Sequence, residues 1–158
     1  MNQSSPRNRQ AFTLIELLVV ITVIAILAGL VLNTAGYIQK KSARSRAEAE
    51  VAALSAAIES YKLDYGAYPA ASANGSVVLY QSLVTNGALN PSGKIYFEPN
   101  NSMVSGTGNS TSLIDPFGSA YNYIYPGNAT RSGTNFFDLW STGGANPSTD
   151  TNQWIKNW

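Results

Sequence analysis

From Phe12 to Leu32 the chain is apolar at every position except Thr13, Glu16 and Thr22. A helix of these 21 residues, rising about 1.5 Å per residue, matches a hydrocarbon layer about 30 Å thick. Past Leu32 the pattern changes from all-round apolar to striped. Val51, Leu54, Ile58, Tyr61 and Tyr65 recur at spacings of 3, 4, 3 and 4, while Ser45, Glu48, Ser55, Glu59 and Lys62 fall mostly elsewhere on the wheel. That stripe predicts a continuation of the same helix with one face packed on a domain. Gly29, Asn33 and Gly36 are poor helix formers that soften the middle. Gly66 offers a C-cap and Pro69 a stop.

After the helix the signals shorten. Residues 70–114 read as a loop-rich connection, with a short helix over Val77–Leu83 and a short strand over Ile95–Glu98. Ala120–Tyr125 places Tyr121, Tyr123 and Tyr125 on one face by a period of two, and Pro126–Gly127 marks a turn. Asn135–Trp140 is a second, aromatic strand. A hairpin alone is marginal in water. The economical architecture is therefore α+β: a long N-terminal helix whose second half packs on a two- or three-stranded antiparallel sheet.

Composition narrows the chemistry. Formal net charge is +1, and becomes −1 once Arg7 and Arg9 are taken away with a leader, since +1 − 2 = −1. No basic footprint for nucleic acid survives that subtraction. The chain has no Cys and no His, so disulfides, thiolate and imidazole chemistry and the usual zinc sites are out of reach. Clustered carboxylates are scarce too, which argues against an enzyme. The one charge cluster, Lys40, Lys41, Arg44 and Arg46, has two readings. It is a solvated face partly paired with Glu48 and Glu50, or a contact for anionic lipid headgroups and for acids of a neighbouring copy.

Residues 1–32 admit three readings. A secretory signal has an apolar core of about 7–15 residues and a small-residue cleavage site; here the core is longer and Asn33-Thr34-Ala35-Gly36 offers no such site. A plain anchor explains the length but not the acid, because a carboxylate in the membrane core costs about 2.5–3.5 kcal/mol. A count of basic residues on either side of the run would place the C-terminal part in the cytoplasm. In the third reading the short basic leader, the small Ala11, then Phe12-Thr13-Leu14-Ile15-Glu16 and an unbroken apolar helix carry the argument. Together they resemble the N-terminal signal of type IV pilins and type II secretion pseudopilins.

The resemblance implies three segments: a cleaved leader at 1–11, a transmembrane and assembly helix at 12–35, and a periplasmic domain at 36–158. A prepilin peptidase cuts between Ala11 and Phe12 and N-methylates Phe12. The subunit, held in the inner membrane, then polymerises with other copies on an assembly platform with minor pilins or pseudopilins. Most such signals have Gly where this chain has Ala11, and many pilins carry a Pro near Asn33 where this chain has none. In the fibre, Glu16 meets the terminal ammonium of Phe12 of a neighbouring copy, which remains protonatable after methylation. Burying the acid without such a partner would be costly.

Later motifs are similar to the major pseudopilin of type II secretion. They are Tyr61-Lys62-Leu63-Asp64-Tyr65-Gly66-Ala67-Tyr68-Pro69, Asp115-Pro116-Phe117-Gly118-Ser119-Ala120-Tyr121, Tyr125-Pro126-Gly127, Phe137-Asp138-Leu139-Trp140-Ser141 and Ile155-Lys156-Asn157-Trp158. Asp115 before Pro116 reads as a turn former rather than an acid–base group. The resemblance also implies a calcium ion in the last loop, with Asn146 and Asp150 as its ligands here. Asp150 is the loop's one carboxylate. Asn146 stands where the family has an Asp, and one extra residue precedes it; these departures lower the expected affinity or remove the site. Two other functions stay open on sequence: a type IV pilus subunit for adhesion, motility or DNA uptake, and a periplasmic binding domain on a simple anchor.

Overall fold

A computed structural model describes residues 12–146 and 149–158, without the side chains at 31–35. The leader, Ala11 included, lies outside the described residues. Helix α1 spans Leu14–Tyr65 and passes through two compact units, Met1–Lys40 and Lys41–Trp158, each taken in turn.

In the first unit the described apolar side chains are exposed. Every large one from Phe12 to Leu30 is at least 49% exposed. Among the described residues no helix is long and apolar enough to cross a membrane. Thr22 turns its hydroxyl inward, donating to the Leu18 carbonyl at 2.7 Å, so its polarity is spent on its own helix.

In the second unit the helix stripe becomes core. Val51, Leu54, Ile58 and Tyr61 are buried, and Ala43, Ala47 and Ala57 join them. Gly66, at φ +77°, ends α1 as expected, its N–H bonding the Lys62 carbonyl at 2.7 Å. Helix α2 spans Gly75–Leu83 and buries Leu79 and Leu83, two residues longer at its start than the expected Val77–Leu83. Gly75 is required there, since a Cβ would lie 2.0 Å from the Tyr123 carbonyl oxygen.

Five short strands follow: β1 Val104–Ser105, β2 Ser112–Leu113, β3 Asn122–Ile124, β4 Asp138–Ser141 and β5 Ile155–Lys156. β1 and β2 form an antiparallel pair; β3-β4-β5 form a three-stranded antiparallel sheet. Tyr123 sits opposite Leu139, and Ser141 opposite Ile155. β4 is central and buried at all four positions. Tyr121 and Tyr123 face the core as the period of two requires, while Tyr125 is only partly buried.

One expected element is corrected. Residues 95–98 form no strand. The Tyr96 and Phe97 N–H groups both bond the Leu83 carbonyl, at 2.8 and 3.1 Å, so this segment docks on the end of α2 instead of joining a ladder.

Candidate functional site: the helix start and the last loop

The first site is built from the opening residues of α1. Thr13 is the N-cap and Glu16 the third helical residue, so Thr13-Leu14-Ile15-Glu16 has the T-x-x-E spacing of a capping box. The geometry agrees. The Thr13 Oγ1 accepts the Glu16 N–H, and Glu16 Oε2 accepts both the Thr13 N–H and its hydroxyl, each at 3.3 Å. Sequence reasoning passed over this cap because the apolar run around it drew the reading toward membrane chemistry. Glu16 thus has a local role in a single chain. It closes the helix start and lies in the favourable field of the first turn. Phe12, beside it, is 81% exposed.

The last loop follows β4 and returns into β5. Asn146 is exposed. The two oxygens of Asp150 accept the Asn152 N–H at 3.2 Å and the Gln153 side-chain amide at 2.9 Å. Calcium takes about 6–8 oxygens, several of them anionic. Among the described residues no group of three His, Cys, Asp or Glu is placed to hold a metal. Asp150 is the one carboxylate of this loop, and both its oxygens receive N–H bonds from within the loop.

The buried acids have structural work. Asp115, buried, accepts the Phe117 and Ser119 N–H groups at 3.0 and 2.8 Å through Oδ1, and the Ser141 hydroxyl at 2.5 Å through Oδ2. This is the turn expected from Asp115-Pro116. Asp138, fully buried, was not foreseen, although an acid inside Phe136-Phe137-Asp138-Leu139-Trp140 is itself a signal. It accepts the Asn128 and Ser132 N–H groups, at 3.1 and 3.3 Å, and the Ser132 hydroxyl. Tyr121 donates to Glu50 Oε2 at 2.6 Å, tying sheet to helix. Burial first, and then Glu50, push its phenol well above the usual range.

Two family descriptions match the chain. "Prokaryotic N-terminal methylation motif" covers residues 6–32, and "Type II secretion system (T2SS), protein G" covers residues 36–158. The chain belongs to the type II secretion system protein G family. It is similar to the type II secretion system core protein G of Pseudomonas aeruginosa, 31% identical over 154 residues that make up 96% of each chain. The proteins of that name from Klebsiella michiganensis and Pectobacterium carotovorum are 29% and 31% identical, covering 96% and 99% of this chain and 94% and 88% of their own. No solved structure matches. As a protein G family member with an N-terminal methylation motif, the chain is a pseudopilus subunit, and the long helix on small antiparallel sheets agrees with a pilin-like fold. The family is one of structural subunits that self-assemble with other secretion components.

Proposed function

We propose that the subunit is cut before Phe12, held in the inner membrane by its apolar helix with its domain in the periplasm, and drawn into a fibre by charge pairing. In the fibre the Phe12 ammonium of one copy meets Glu16 of the next. The observation that carries this reading is the helix from 14 to 30, apolar and exposed all round, with its one carboxylate at the start. Such a surface is stable only in lipid or against other copies of itself. Passage from lipid to the fibre exchanges one apolar cover for another, so burial alone gives little direction. A buried acid does give direction, since it is stable only in the register that supplies a cation. Prepilin peptidase, the assembly platform, minor pseudopilins and membrane lipid are the partners this route requires.

Two measurements test the proposal. Mass spectrometry of the mature protein should give N-methylated Phe12 as the first residue. Glu16→Ala should leave that terminus unchanged while sharply reducing fibres. An intact leader would remove the processing step, and normal fibres in the variant would remove the pairing role.

A further inference from the structure

The segment after β4 leaves the sheet, loops out and comes back as β5, and something must hold its two ends together. A metal is the obvious tie for such a loop, but the donors around Asp150 do not supply one. The structure shows two arginines in that place. Arg131 lies across the returning chain. Its guanidinium carbon is 5.1 Å from the Trp140 ring centre, 5.5 Å from Trp154 and 5.2 Å from Trp158. These rings come from β4, from the loop's return and from beyond β5. Trp140 and Trp154 stack at 5.2 Å and 20°, and Trp158 meets Trp140 edge-on at 5.8 Å. One cation therefore touches all three passes of the chain.

The same cation answers the buried acid. Asp138 is fully buried within β4, where an unpaired carboxylate is costly. Arg131 Nη1 lies 3.6 Å from its Oδ2, and the Asn128 and Ser132 groups take up its other acceptor positions. Asp138 thus fixes the guanidinium, and the guanidinium faces the indoles. Arg131 is 29% exposed, and a partly desolvated guanidinium gains more from a ring face than a solvated one.

Arg44 holds the neck of the loop. Its Nη1 donates to the Gln153 carbonyl at 3.0 Å. Gly143, on the outgoing side, passes so close to that carbonyl that a Cβ would lie 2.2 Å from its oxygen. The loop is thus pinched between Gly143 and Gln153, with Arg44 satisfying the carbonyl at the pinch. Glu48 steadies Arg44 from one helical turn away, at 3.3 Å.

We propose that the last loop of this chain is closed by protein cations, Arg131 over the three tryptophans and Arg44 at the neck, in place of a bound metal ion. Guanidinium does not deprotonate in the working range, so closure is independent of divalent cations.

Hydrogen exchange of residues 142–158 in the full chain, kept in detergent, tests this. In the unsubstituted protein, exchange should be the same in excess calcium and in excess chelator. Arg131→Met keeps the stem and removes the charge; exchange there should quicken on the order of tenfold, with or without calcium. Arg131→Lys should fall between the two. Faster exchange of the unsubstituted loop in chelator would overturn the proposal, because a metal would then be the tie. Loop exchange unchanged in Arg131→Met would overturn it equally. Should Arg131→Met lose protection throughout, Trp158→Leu takes its place. Loop exchange quickened while α1 stays protected supports the clamp, and unchanged loop exchange removes it.

Discussion

The two stretches of α1 share one backbone and opposite surroundings. From 14 to 30 the helix is apolar on every side and exposed on every side. From 43 to 61 it carries one apolar stripe, and that stripe is buried under the chain's own sheet. An all-round apolar helix cannot be satisfied by one small domain, because a domain covers one face; it needs a medium or a ring of copies. A striped helix needs only one partner and finds it within the chain. Stability of the subunit thus rests on the striped stretch, and the proposed fibre contacts on the exposed one.

That separation predicts contrasting substitutions. Leu54→Ala should lower domain stability by about 2–5 kcal/mol through lost burial and the cavity left behind. Leu27→Ala, on the exposed stretch, should leave it unchanged. Chemical unfolding of the full chain in detergent reads both, and equal losses would break the comparison.

A smaller effect sharpens it. Tyr121→Phe removes the 2.6 Å bond to Glu50 and should cost about 1–2 kcal/mol near neutral pH. The phenols of Tyr121 and Tyr123 are both pushed above the ordinary value of 10, chiefly by burial. A pKa raised on folding favours the protonated form. Its contribution is complete below pH 10 and is lost as pH rises through the folded value. Domain stability should therefore fall above pH 10, and the deficit of Tyr121→Phe should shrink there. Stability measured across that range checks the sign. The exposed half of α1 has no such buried phenol, and its helicity should not follow this profile.

Sequence gave unequal access to these parts. The stripe on α1, the Gly66 stop and the Phe12-to-Glu16 motif were legible because each rests on a local rule: periodicity, a positive φ, fixed spacing. An antiparallel sheet of two or three strands was foreseen, with β3 and β4 among them, but not β5 or the β1–β2 pair. Strands of two residues are too short to show alternation, and only tertiary pairing defines them. Residues 95–98 looked like a strand because Ile95, Tyr96 and Phe97 have the right composition, yet the end of α2 offered their N–H groups a nearer acceptor. Asp138 and Arg131 were hidden for a different reason: they lie seven positions apart, and no sequence rule joins a buried acid to an arginine facing three distant tryptophans. The capping box was readable, but the apolar run concealed it.

The capping box also supplies the decisive measurement. Glu16 does two things by this account, closing its own helix start and presenting a charge to a neighbouring copy. Glutamine keeps the first and removes the second, since it serves equally at the third helical position of a capping box. Fibres should be counted for Glu16→Gln beside Glu16→Ala, with Phe12 verified as the mature terminus in each. The account predicts that Gln assembles as poorly as Ala. Fibres at the unsubstituted level with Gln would show that the cap, and not the charge, is what assembly uses.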